Sequence, residues 1–208
     1  TPQARRYYGE TLGFIGVAGG QVTHLLRDIL ESDLLVVGGV EYQIDGVNDS
    51  LPGYGRQIEQ TTGNAGSYIQ AQIAPGGPLS AALGFRVDRL RIAGTYVYDG
   101  RGGGRPVDKT FEVVNPRLSL VGRIGSLASV RVGYASGFRG PQAFDEDFHL
   151  STLSGEARIV QLSPSLEPER SQSITASVDL EDRDVFSAKG ATVELFATYL
   201  EKPFVVGL

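Results

Sequence analysis

Apolar and polar residues alternate in short runs along most of the chain. That is the period of an extended strand whose two sides meet different surroundings. Val36, Gly38, Val40, Tyr42 and Ile44 share one phase, and Val37, Gly39, Glu41, Gln43 and Asp45 the other. Ile69, Ala71 and Ile73 stand against Tyr68, Gln70 and Gln72. Pro75-Gly76-Gly77-Pro78 reads as a tight turn. Beyond it Leu79, Ala81, Leu83, Phe85 and Val87 oppose Ser80, Ala82, Gly84, Arg86 and Asp88. Further on, Ala128, Val130, Val132 and Tyr134 oppose Ser129, Arg131, Gly133 and Ala135. Ile174, Ala176, Val178 and Leu180 oppose Ser173, Thr175, Ser177 and Asp179, and Thr192–Tyr199 forms the last clear strand.

The pattern is less regular elsewhere. Residues 5–16 read as a strand with Tyr8, Leu12 and Phe14 in phase, and Gly19-Gly20 as a turn. In residues 21–31, Leu25, Leu26, Ile29 and Leu30 recur at helical spacing, so a short helix competes with the favoured strand. After Asp88-Arg89 the apolar phase shifts by one, to Leu90, Ile92, Tyr96 and Tyr98. Either a bulge produces the shift or the strand continues above a membrane. A strand begins at Asn115-Pro116-Arg117-Leu118. The total is about nine strands, an all-β, antiparallel reading. Connections near 46–61, 99–112 and 137–170 are long; those near 31–33, 75–78, 123–126 and 181–189 are short. Such alternation is expected of an up-and-down outer-membrane barrel.

Composition narrows the classes. The chain has 208 residues, 28 of them Gly, with no Cys, Met or Trp. Thiolate and disulfide chemistry are excluded. The net charge of -5 argues against a nucleic-acid partner. No apolar run is long enough for a spanning helix, but barrel strands need only about 9–11 residues. Glu41, Asp45, Arg86, Asp88, Arg117, Arg131, Asp179 and Glu194 all fall on the polar phase. On a lipid face near the midplane a Lys or Arg would cost about 2–4 kcal/mol. A soluble sheet with one wet face needs the same sorting less strictly. Periodicity alone therefore leaves two readings open, a membrane barrel and a soluble or surface β-sandwich, a binding module for glycan or protein.

Two motifs in order favour the barrel. Gly137-Phe138-Arg139-Gly140-Pro141-Gln142 is followed by an acidic-aromatic loop and then by Leu166-Glu167-Pro168-Glu169-Arg170-Ser171. The pair resembles the barrel of TonB-dependent outer-membrane receptors, where Gly-Phe-Arg-Ala-Pro and Asn-Pro-x-Leu-Lys-Pro-Glu-x-Ser are common. Here Gly140 replaces the usual alanine, Ser163-Pro164 the Asn-Pro, and Glu167 the lysine. The Ser32–Leu35 and Gly39–Tyr42 run, the Asn115–Leu120 run, and the hairpin with Gly66, Tyr68 and Gln70 facing Gly84, Arg86 and Asp88 are also family-like.

The resemblance implies that residues 1–208 are part of a transmembrane β-barrel in a Gram-negative outer membrane. The plug domain and the closing C-terminal strands would belong to a longer protein. It implies active transport of a scarce nutrient, a siderophore-type ferric chelate or cobalamin, driven by a TonB-type energy-coupling partner through the plug. It implies contact with the lipid bilayer, no cofactor and no enzymatic activity.

No catalytic constellation stands out, and neither His24 nor His149 sits in a zinc-ligand motif. Outer-loop candidates for ligand contact are Arg139, Phe144, Asp145, Glu146, Asp147, Phe148 and His149. Each has a plainer reading beside it. Asp145–Asp147 form either a cation site of oxygen ligands or a solvated acidic patch. Phe144 and Phe148 either grip a ligand or pack the loop, and His149 either touches ligand or is solvated. Arg139 and Arg170 flank the loop in position to tie its base by ion pairs. Gly102-Gly103-Gly104 lacks the strand–helix context of a phosphate loop and reads as a flexible tip.

Overall fold

The computed structural model describes residues 9–29, 32–73, 77–97, 104–141, 167–184 and 187–203. They form one eight-stranded sheet in chain order, every neighbouring pair antiparallel. The strands are β1 (Glu10–Ile29), β2 (Ser32–Leu51), β3 (Arg56–Ile73), β4 (Leu79–Val97), β5 (Arg105–Ile124), β6 (Ala128–Arg139), β7 (Glu169–Asp184) and β8 (Ser187–Glu201). Each strand packs on its sequence neighbours, and no second layer covers the sheet among the described residues. The described residues form no sandwich, whose apolar faces would meet a second sheet.

The register threads one phase across the whole wall. Leu34, Ile73, Ala81, Leu120, Val132, Ala176 and Leu195 stand in successive rungs on the outward side. That side keeps large apolar groups exposed: Val40, Ile69, Phe85, Leu118 and Ile174 among them. Arg86, Arg117, Arg131, Asp179 and Glu194 occupy the other phase, as the alternation predicts. On β4 the outward residues from Leu79 to Val87 are uninterruptedly apolar. About nine residues rising ~3.4 Å each, inclined ~40°, span roughly 23 Å, close to the ~25 Å apolar band of an outer-membrane barrel.

Several expectations need correction. Gly19-Gly20 is not a turn: β1 runs through it in unbroken register, Gly19 opposite Glu41 and Gly20 opposite Val40. A Cβ on Gly19 would lie 2.9 Å from the Val40 carbonyl oxygen, so the glycine serves a close strand approach rather than a bend. The two expected strands 5–16 and 21–31 thus merge, eight strands replace nine, and the helix alternative for 21–31 falls. The only irregularity of this ladder lies between Leu26 and Ile29.

The expected 46–61 loop shrinks to one 3₁₀ turn, Pro52–Tyr54, closed by Gly55 at φ 61°. β5 begins at Arg105, well inside the expected 99–112 loop, and β7 and β8 run into the expected 181–189 turn. Gly125, at φ 62°, supplies the left-handed corner of the β5–β6 turn.

No bulge accompanies the phase shift after Asp88: the ladders on both sides of β4 stay in register from Arg86 to Ile92. The strand simply continues, and its two faces exchange character. Outward residues become charged at Arg89 and Arg91, while inward ones become apolar at Leu90, Ile92 and Tyr96. Above the apolar belt the outside is wet. The inside there holds the buried residues Ile58, Leu90, Ile92, Tyr96 and Val113, the nearest thing to a core in the described wall.

Candidate functional site: the inner face of the wall

On the inner face long side chains lie across glycines of the next strand. Tyr68 covers Gly39, its register partner, where a Cβ would come 2.6 Å from the phenol oxygen. Arg117 covers its partner Gly84, and Arg86 reaches over Gly66, where a Cβ would come 2.3 Å from Nη2. These contacts account for the Gly66-x-Tyr68-x-Gln70 and Gly84-x-Arg86-x-Asp88 runs. The glycines make room for flat side chains to lie along the wall instead of projecting into the interior.

Arg86 is the hub. Its Nη2 donates to Glu41 Oε1 at 2.9 Å, and its Nε to Asp88 Oδ1 and Oδ2 at 2.9 and 3.0 Å. Asp88 is only 1% exposed and accepts further from Asn64 Nδ2 at 3.0 Å and Asn115 Nδ2 at 3.3 Å. A buried carboxylate is tolerable only with this many donors. Higher on the wall, buried Asp49 binds Arg56 through an ion pair at 2.5 Å and accepts from Thr11 Oγ1 at 2.7 Å. The Tyr96 hydroxyl donates to Gln60 Oε1 at 2.7 Å beside Ile58. Five strands, β1 to β5, are stitched by these bonds, so the inner face is stiff as well as polar.

The motif segment closes over this face. β5 and β6 pair only from Arg117–Ala135 to Ile124–Ala128. The next β5 residue, Pro116, has no N–H with which to continue the ladder. β6 then follows β7 alone as far as Arg139, and Gly140-Pro141 packs onto the inner side of β4. Pro141 is fully buried, and a Cβ on Gly140 would stand 2.4 Å from Leu90 Cδ2. The departure from alanine at this position thus has a steric cause. Phe138, Gly140 and Pro141, together with Gln43, Asp45, Thr62, Asn64, Leu90 and Ile92, line a cavity of about 140 Å³.

Of the sequence-derived site residues, Arg139 alone is placed. It is exposed at the last β6 rung, opposite Glu169. Phe144, Asp145, Glu146, Asp147, Phe148 and His149 lie outside the described residues, as do Gly102 and Gly103. Arg170 pairs in register with Phe138 and Arg139 with Glu169, so the two arginines point to opposite faces of the ladder. At this loop base Lys202 and Glu167 form an ion pair, and its hydrogen bond holds the Glu167 carboxyl below its ordinary range. His24 is an exposed outward residue on β1. No cluster of three or more metal-ligating His, Cys, Asp or Glu side chains occurs among the described residues. Sequence reasoning missed Asn64, Asn115 and the cavity; only the charge sorting hinted at the hub.

An apolar-out, polar-in sheet of sequential strands is the wall of a membrane barrel, and the sequence carries that assignment to a family. Residues 1–202 match the model of the TonB dependent receptor-like β-barrel. The chain belongs to the TonB-dependent receptors. Its place is therefore the outer membrane of a Gram-negative bacterium, with the outward phase against lipid and the inward phase toward the lumen. No curated protein matches the sequence.

Among solved structures, the Serratia marcescens hemophore receptor HasR, in complex with its hemophore HasA and heme, superposes at TM-score 0.71 with 16% identity, over 92% of this chain and 34% of that one. The ferric-catecholate import receptor Fiu from E. coli K12 gives 0.68 and 14%, over 93% and 32%. The alcaligin outer-membrane receptor FauA from Bordetella pertussis gives 0.60 and 16%, over 92% and 30%. These likenesses show a common fold. The chain spans about a third of the length of the receptors it matches.

Proposed function

We propose that this wall belongs to an active transporter that imports a ferric chelate, of the siderophore or heme type, with energy supplied by a TonB-type partner. The observation that carries the reading is the family match over a wall whose inner face is a rigid, charged, hydrogen-bonded surface. Neighbours of the same fold are a hemophore receptor in complex with its hemophore and heme, a ferric-catecholate import receptor and an alcaligin receptor. Capture by outer loops and passage along a polar lumen suits a hydrophilic chelate too large for passive diffusion. The outer-loop residues Arg139, Phe144, Asp145, Glu146, Asp147, Phe148 and His149 would make the first contact. Cobalamin, which the Phe144–His149 loop and the Leu166–Ser171 motif also suggest by resemblance, is the second candidate. The family match supports movement of the ligand rather than chemistry on it.

The test uses the complete receptor in a host deleted for its own iron receptors. Uptake of radioiron from a catecholate, a hydroxamate and heme is measured with and without a functional TonB, beside uptake of labelled cobalamin. TonB-dependent uptake of at least one iron source is expected. Uptake of cobalamin alone would move the protein to the other nutrient class. Uptake of none, or uptake indifferent to TonB, would refute the proposal.

A further inference from the structure

The cavity beneath Gly140-Pro141 has an unmet chemical demand. Its floor is two rungs of the β2–β4 sheet: Gln43, Asn64 and Leu90 in one, Asp45, Thr62 and Ile92 in the next. Asn64 donates its amide N–H to Asp88, which fixes the flip of the amide and turns Oδ1 away from that carboxylate. Asn64 Oδ1 is buried and has no hydrogen-bond partner. Asp45, half-buried beside it, makes no hydrogen bond or ion pair with the described residues. The arginines on this face of β3 and β4 are already engaged, Arg56 with Asp49 and Arg86 with Glu41 and Asp88. A buried acceptor and a half-buried carboxylate without donors are costly. Such groups in a folded protein call for an explanation.

We propose that this cavity is a cation-accepting site for one protonated amine or guanidinium group. Asp45 supplies the charge, and Asn64 Oδ1 accepts a second N–H. Gln43 lines the same space, and Leu90, Ile92 and Phe138 line it where the carbon stem that bears the cation would lie. A volume of about 140 Å³ is room for one such head group or a few waters at ~30 Å³ each. The inference rests on the geometry of the wall and is independent of the transport reading. Its occupant is either a soluble molecule carrying an amine or guanidinium, or a Lys or Arg side chain from elsewhere in the protein. The chemistry is the same for both.

The test takes the full-length receptor purified in detergent and titrates it with methylguanidinium chloride, with sodium chloride at equal ionic strength as control. If the site is open to soluble cations, the probe raises the melting temperature of the wild type. Asp45→Asn then weakens that response about tenfold or more. Gln43→Glu, which adds a carboxylate at the same wall, strengthens it, a gain that a merely structural role would not produce. If a side chain of the protein already fills the site, the wild type ignores the probe, Asp45→Asn melts lower, and the Asp45→Asn protein still does not respond. A wild type that ignores the probe while Asp45→Asn melts unchanged would overturn the proposal. So would a probe response that survives Asp45→Asn undiminished.

Discussion

Asp88→Asn isolates what the hub on the inner wall contributes. The side chain keeps its shape, so cavity and strain effects are small. What changes is that one acceptor oxygen becomes a donor NH₂. Asn64 Nδ2 faces Oδ1 and Asn115 Nδ2 faces Oδ2, so either flip of the new amide sets donor against donor. One charge-assisted hydrogen bond is lost, at ~1.5–3 kcal/mol, and one buried donor goes unsatisfied, at ~1–3 kcal/mol. Arg86 keeps Glu41 and stays about a third exposed, so its own penalty is screened. The expected loss is about 3–5 kcal/mol, the range for removing one partner of a buried ion pair. Adding Asn115→Asp to Asp88→Asn restores both an acceptor and the charge, and recovers a large part of the loss. The assay is urea unfolding of the full receptor in lipid vesicles, followed by circular dichroism of the sheet. An Asp88→Asn midpoint within ~0.5 kcal/mol of wild type, or a double variant no better than the single, would refute the account of Asp88 as an anion held by its donors.

Three further outcomes follow from the two faces. Val132→Arg, on the outward phase between Leu120 and Ala176, should cost about 2–4 kcal/mol, whereas Ser177→Lys on the inward phase should be nearly neutral; urea midpoints in vesicles compare them. Gly140→Ala drives a methyl into Leu90 and should cost about 1–3 kcal/mol. Leu90→Val should relieve that cost in the double variant, read by the same assay. On the outer extension, Arg91 forms an ion pair with Asp108 at 2.9 Å and, chiefly through that hydrogen bond, holds the Asp108 carboxyl below its ordinary value of 3.8. Stability from this pair is complete above that ordinary value and is lost as pH falls through the lower folded one. Melting curves of wild type and Arg91→Gln should therefore converge only in strong acid, below about pH 4.

What could be read from the chain, and what could not, has a physical pattern. Where both environments press on a strand, within the belt, alternation alone set the correct face for Glu41, Asp45, Arg86, Asp88, Arg117, Arg131, Asp179 and Glu194. Beyond the belt no lipid demands an apolar side. Asn48, Asp49 and Ser50 therefore looked like loop, though they are paired strand. Gly19-Gly20 looked like a turn because glycine marks both bends and close approaches, and only the register tells them apart. The hub was half legible: Arg86 and Asp88 are two residues apart on one phase. Asn64 and Asn115 reach Asp88 from 24 and 27 residues away, and no local signal announces such a pairing. The cavity was invisible because it needs Gly140-Pro141 to fold onto β4.

The short β5–β6 ladder makes the wall uneven along its circumference. Most neighbouring strands hold one another over nearly their full length, while this pair is joined only near the turn at Gly125. A zipper fails first where its teeth stop. Amide protons of the β5 and β6 residues flanking Pro116 should exchange sooner than those of the β3–β4 ladder, in hydrogen-exchange mass spectrometry of the intact receptor. A wall with so short a ladder at this seam can part there without dismantling the bonds centred on Asp88.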